Sequence, residues 1–139
     1  MVPEGNNWHE TPIRVRYKDT DRMGVVYYGN YLTFFEVGRA ECMRDLGFSY
    51  ADVEEQGHVL VVIEAGATYH ANAGYDDLLK VRTRVSTVGN VRVRFDYRVL
   101  DQQKRLLVTG YTVHACINSN LKPTRLPPGL KSAIEGSAS

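Results

Sequence analysis

The stretch from Tyr17 to Arg39, YKDTDRMGVVYYGNYLTFFEVGR, places two acids two residues apart, Asp19 and Asp21, just ahead of an apolar run. Polar groups that end a strand immediately before a helix lie beside backbone N–H groups without partners and at the positive end of the helix dipole. Such a place stabilises developing negative charge, so an acid there can attack an acyl carbon or activate water while the amides hold the oxyanion. The bland use of the same residues is turn formation, because aspartate side chains bond to nearby backbone at strand-to-helix turns. On pattern alone the turn is the stronger reading.

The elements that would position these acids can be read on either side. Ile13, Val15 and Tyr17 alternate with Arg14, Arg16 and Lys18, which predicts a half-buried strand over Pro12 to Tyr17. The residues before it, MVPEGNNWHET, have no period and are read as a loose arm over 1–11. From about Tyr31 to Leu46 apolar residues recur at spacings of three and four, with Arg39, Glu41, Arg44 and Asp45 expected outward. Asn30 is the expected cap of this long helix and Gly47 its end. Ser49 and Asp52 open a short second helix that stops at Gly57.

The remainder reads as sheet. His58 to His70 is apolar on both faces at first, as a central strand would be. Asp77 to Thr87 and Asn90 to Leu100 alternate with their odd-numbered apolar residues on one face, which requires a three-residue turn, Val88 to Asn90. A last strand covers Leu106 to Asn118, the segment LKPTRLPPGL is too rich in proline to continue it, and the tail from Lys131 to Ser139 is expected to fray. Consecutive strands on short turns give an antiparallel sheet, and one broadly apolar helix must be wrapped by it. The expected architecture is α+β, about five antiparallel strands around one long central helix, in a single domain spanning 1–139. An open sheet edge predicts self-association.

Composition narrows the function. At 139 residues, 43% hydrophobic and 24% charged, the chain is the size of one globular domain, and a net charge of +1 creates no global attraction for polyanions. No stretch reaches the roughly 18 to 20 apolar residues of a membrane helix, and no export signal opens the chain, so a cytoplasmic protein is expected. Cys42 and Cys116 show no ligand spacing and are expected to be buried thiols; His9, His58, His70 and His114 show none either, and no metal site is expected. GxSxG, HExxH and GxGxxG are all absent.

Asp19-Thr20-Asp21, Gly24-Val25-Val26-Tyr27-Tyr28, Asn30-Tyr31, Phe35-Glu36 and Arg39 stand at a spacing that resembles the 4-hydroxybenzoyl-CoA thioesterase family, including its YbgC-like branch, with Tyr69, Ala73, Tyr75-Asp76-Asp77, Gly110 and Arg125-Leu126-Pro127 resembling later segments. The resemblance implies a hot-dog fold and hydrolysis of an acyl-CoA to free acid and coenzyme A. It implies that Asp21 is the nucleophile or the base for water, and that the Tyr28 backbone N–H polarises the carbonyl. Gly24 and Val25 are then expected beside the substrate. Where the YbgC-like branch often has histidine this chain has Tyr28, and Asn72 and Gly74 are further departures. A thioester suits so small a machinery, since its carbonyl is poorly stabilised and thiolate leaves readily.

Glu36 on the helix and Glu64 in an apolar strand are the alternative acids, with Glu64 otherwise a pocket or interface residue and Asp19 a turn former. Arg82, Arg84, Arg92, Arg94 and Arg98 occupy even positions of two strands and point away from the helix. They form a solvated face, or some of them, Arg92 and Arg94 above all, join Lys122 or Arg125 in holding coenzyme A phosphates. Without an aromatic platform the stripe does not suit nucleic acid. The expected partners are therefore an acyl-CoA, or an acyl group on a carrier protein, and further copies of the chain in a homodimer or homotetramer. No cofactor is expected, coenzyme A being part of the substrate. The alternative is a non-hydrolytic acyl-binding module or a hydratase of the same fold.

Overall fold

The computed structural model describes residues 8–137. The chain forms β1 (His9–Arg14), a single 3-10 turn (Tyr17–Asp19), α1 (Asn30–Asp45), α2 (Tyr50–Glu55), β2 (Val59–Tyr69), β3 (Leu78–Val88), β4 (Arg92–Leu100), β5 (Leu106–Ile117) and α3 (Leu130–Ser137). The five strands make one sheet in the order β1-β3-β4-β5-β2, antiparallel at every junction. With α1 packed on β1 and β3, this is the α+β hot-dog architecture.

The helix lies in the sheet because its contact face is alternately large and absent. Tyr31, Phe34, Phe35, Cys42 and Met43 are buried at helical spacing. Gly38 between them lets α1 approach β3, since a Cβ there would stand 2.6 Å from Thr83 Oγ1 and 2.7 Å from Val81 Cγ1. Opposite, a Cβ on Gly110 would collide with the Phe35 ring, which stacks on Tyr97 with centroids 4.4 Å apart and planes 4° from parallel. Odd-numbered Val81, Val93, Phe95, Tyr97 and Val99 are all buried beneath the helix, as the alternation predicts. Gly47 and Gly57 end α1 and α2 at φ +89° and +82°, and Ser49 caps α2 by accepting from the Asp52 N–H at 3.2 Å.

Several expectations change. β1 starts at His9 and stops at Arg14, so His9 to Thr11 belong to the sheet rather than to a loose arm, and Tyr17 has moved into the 3-10 turn. Residues 1–7 lie outside those described. Pairing with Thr83, Arg82 and Val81 holds the early residues, a tertiary contact that a local period cannot show. β2 is an edge strand, with Val59, Val62 and Ile63 between 41% and 51% exposed; its apolar run on both faces mimics a central strand. The β3–β4 connection spans Gly89 to Val91, one residue later than expected, since Val85 pairs with Phe95 and centres the hairpin on Asn90. The tail is helical from Leu130 to Ser137, anchored by buried Leu130 and Ile134.

The largest departure is Arg39, expected outward and in fact buried. Its Nε donates to Tyr50 Oη at 2.6 Å and its Nη1 to Tyr97 Oη at 3.1 Å. Tyr97 Oη in turn shares a 2.6 Å hydrogen bond with Thr112 Oγ1, which lies 2.9 Å from His114 Nε2. No carboxylate among the described residues pairs with Arg39, so phenols solvate its charge. Burial keeps them neutral, pushing the Tyr50 phenol up to about 12.

His114 ends this chain. Burial first, then the Arg39 charge, pull its imidazole down to about 4 from an ordinary 6.5, so it is neutral in the folded protein. The unfolded chain takes up that proton first as pH falls, so stability should drop between about pH 6.5 and pH 4, by up to about 3 kcal/mol for this one group. Urea titrations at pH 7.5, 5.5 and 4.5 should show this slope in the wild type and a visibly flatter one in His114→Leu.

Candidate active site

The segment joining β1 to α1 folds back on itself. Thr20 pairs with Val26 and Val25 with Gly74 in isolated antiparallel bridges. At the tip the Gly24 N–H donates to the Asp21 carbonyl at 3.0 Å and the Met23 N–H to Asp21 Oδ1 at 2.8 Å, a tight turn that the aspartate side chain closes. Gly24 has φ +80°, a conformation glycine adopts without strain. Val25 is half-buried against Gly74, while Asp21 and Gly24 are exposed.

Asp21 therefore forms the turn that its pattern favoured. One carboxylate oxygen forms the turn; the other, Oδ2, accepts from none of the described residues. Asp19 is the turn former expected, its Oδ2 accepting from the Arg16 N–H at 2.8 Å. Its carbonyl receives both the Tyr27 N–H at 2.9 Å and the Asn30 side-chain amide at 2.8 Å. Asn30 is thus the first helical residue and a tether rather than the cap. Gly29 occupies the cap position and offers no side chain.

The first amides of α1 itself are paired, Tyr31 N–H with the Tyr28 carbonyl and Leu32 N–H with the Gly29 carbonyl, and the open ones lie just ahead of it. The Tyr28 and Gly29 N–H groups donate to no acceptor among the described residues, whereas Asn30 N–H donates to the Tyr27 carbonyl at 2.9 Å. Tyr28 is 61% exposed and Gly29 half-buried. Tyrosines border the open amides: Tyr27 and Tyr28 have ring centroids 4.7 Å apart, and Tyr69 meets Tyr28 edge-on at 6.1 Å. Tyr69, marked in the sequence only by the family resemblance, is brought here from the end of β2, a contact with no local signal.

The other acids lie elsewhere. A bulge at Ile63 turns Glu64 to the outer face, beside β5, where its carboxylate accepts from Tyr111 Oη at 2.6 Å. That contact raises the Tyr111 phenol above its ordinary value. Glu64 is exposed, so the cost of burying it never arises. Glu36 is exposed on α1 and lines a cavity of about 200 Å³ with Arg39, Tyr50 and His58. No contact among the described residues links either acid to the Asp21 turn.

The arginines do share the face away from α1. Arg94 Nε donates to Asp96 Oδ1 at 3.0 Å and its guanidinium lies 4.3 Å over the Tyr111 ring, while Arg92 is exposed. Arg82, Arg84 and Arg98 gather around the Trp8 ring at 5.8, 4.6 and 5.1 Å. An aromatic residue thus does meet the stripe, contrary to expectation, but its ring is covered by cations instead of open to bases. Cys42 and Cys116 are free and buried, and the described residues hold no cluster of three or more potential metal ligands.

A family model described as the thioesterase-like superfamily matches residues 15–134, the whole of this machinery. The chain belongs to that family. Among its relatives, an acyl-CoA thioesterase YbgC from Haemophilus influenzae is 38% identical over 93% of this chain and 96% of that protein. An acyl-CoA thioester hydrolase YbgC from Escherichia coli O6:H1 is 31% identical over 86% of this chain and 90% of its own length. Of solved structures, a DHNA-CoA thioesterase from Staphylococcus aureus superposes with a TM-score of 0.89 at 37% identity, covering 93% of this chain and 89% of the other. The chain is a YbgC-like member of the family, as its Asp19-to-Arg39 run indicates.

Asn30 ties the first turn of α1 to the Asp19 carbonyl, so Asn30→Ala should lower stability by about 1 kcal/mol, the ordinary worth of one such bond. Urea denaturation monitored by circular dichroism checks this.

Proposed function

We propose that this protein hydrolyses acyl-CoA thioesters to a free acid and coenzyme A, with Asp21 as the reacting carboxylate. The observation that carries the reading is the coexistence, on one folded-back segment, of a carboxylate oxygen and two amides ahead of the helix that find no partner among the described residues. Asp21 Oδ2 adds to the thioester carbon, or removes a proton from the water that does. The carbonyl oxygen becomes an oxyanion that accepts from the Tyr28 N–H, and its collapse expels the thiolate of coenzyme A. Where Asp21 adds directly, water then cleaves the resulting acyl–aspartyl anhydride at the acyl carbon and restores the carboxylate; in either route water supplies the acid's second oxygen and a proton for the thiolate.

Tyr28 contributes backbone alone, and its phenol leaves the proton transfer to Asp21. Gly24 and Val25 form the near wall of the acyl site. Of the two arginines assigned to the phosphates, Arg92 is exposed and ready to bind, whereas Arg94 must exchange its bond to Asp96 for one to phosphate. Coenzyme A is the carrier this reading favours over a carrier protein, and no cofactor is required. Buried free thiols suit a reducing cytoplasm. The described residues contain no helix long and apolar enough to cross a membrane. The exposed apolar edge of β2 supports assembly into homodimers, paired further into tetramers.

Thiol release from aromatic, short-chain and long-chain acyl-CoAs tests the reading. Asp21→Asn should lower kcat at least about a hundredfold on the preferred substrate, as expected for removal of a primary reacting group. Undiminished turnover in that variant would transfer the role to Glu36 or Glu64.

A further inference from the structure

Tyr69 is the last residue of β2, at the far end of the sheet edge from α2, yet it reaches the start of α1. Its hydroxyl donates to the Tyr28 carbonyl at 3.2 Å, across 41 residues of chain. Its ring stands edge-on to Tyr28 at an interplanar angle of 81° and lies 5.8 Å from the Tyr31 ring. The same carbonyl also accepts from the Tyr31 N–H at 3.3 Å, a long bond for a first helical turn. On the other side, a Cβ on Gly29 would come within 2.9 Å of the Tyr27 ring, so that ring closes against the same peptide.

A peptide unit is planar, with C=O and N–H pointing oppositely. Gripping the Tyr28 carbonyl therefore sets the direction of the Gly29 N–H, and it restricts the rotation that aims the neighbouring Tyr28 N–H. A hydroxyl donor at the carbonyl also polarises the unit and strengthens its N–H as a donor. Among the described residues, Tyr69 supplies the one hydrogen bond to this peptide from outside the segment. We infer that Tyr69 is a positioning residue for thioester hydrolysis, its hydroxyl clamping the Tyr28–Gly29 peptide so that the open amides face the forming oxyanion. The inference rests on the reading of the Tyr28 amide as oxyanion donor.

Tyr69→Phe keeps the ring and removes only the hydroxyl. On the preferred acyl-CoA its kcat should be about three- to tenfold lower, the effect of losing one neutral hydrogen bond. KM should stay within about twofold and the pH profile of kcat should not move, since the reacting carboxylate is untouched. Amide exchange followed by NMR should quicken at Tyr31, whose N–H shares the clamped carbonyl, and remain as before at Cys42 and Met43 in the middle of α1. Wild-type kcat in an active Tyr69→Phe enzyme overturns the inference and leaves hydrolysis intact, as does a loss confined to KM. Absence of thiol release from the wild type with every acyl-CoA would instead remove the hydrolytic reading, and with it any catalytic role for Tyr69. Unchanged amide exchange would refute the clamp in either case.

Discussion

Two hydrogen bonds to one carbonyl hold the reactive end of this molecule together. The Asp19 carbonyl accepts the Tyr27 N–H and the Asn30 side chain, and so joins the end of the 3-10 turn to the start of α1. Everything between, Thr20 to Val26, is thereby closed into a small loop whose tip is Asp21. Using Asn30 as a tether takes away a capping residue and leaves glycine at the cap. Just ahead of the helix, the Tyr28 and Gly29 N–H groups find no acceptor among the described residues.

The central helix is held by a polar chain as well as by its apolar face. Arg39 joins α1 to α2 through Tyr50 and to β4 through Tyr97, and the bonds continue through Thr112 to His114 on β5. A buried guanidinium is costly to desolvate, and here two neutral phenols supply the acceptors that water would have given. Close packing at Gly38 and Gly110 brings the helix near enough for these bonds to form. Apolar stacking and the charged network are therefore parts of one fit: a helix standing further from the sheet would lose both Phe35 on Tyr97 and Arg39 on the phenols.

Opposite the helix, the outer face of the sheet is organised by cations. Trp8 draws together Arg82, Arg84 and Arg98, Asp96 pairs with Arg84 and Arg94, and Glu64 reaches the same face only because of a bulge. A charged face and an apolar β2 edge thus lie next to each other. The edge presents unpaired backbone groups together with Val59, Val62 and Ile63, and that combination favours strand pairing with a second copy.

Periods of two and of 3.6 residues were enough to read strands, helices and the buried face of the β3–β4 hairpin from the amino acids alone, because those patterns are properties of neighbouring residues. The same holds for glycines at helix ends and for the spacing from Asp19 to Arg39, which marks the family. What neighbours cannot reveal is which strand lies at the edge, since an apolar run such as Val59 to Ile63 suits a sheet centre and an association surface equally. Nor can they reveal that Arg39 turns inward, because its acceptors lie 11 and 58 residues away. Asp21 was visible as an acid in a turn, but its free oxygen, the open amides at Tyr28 and Gly29, and the reach of Tyr69 exist only once distant segments have been brought together. Local chemistry chose the elements; long-range hydrogen bonds and close approaches decided what those elements expose.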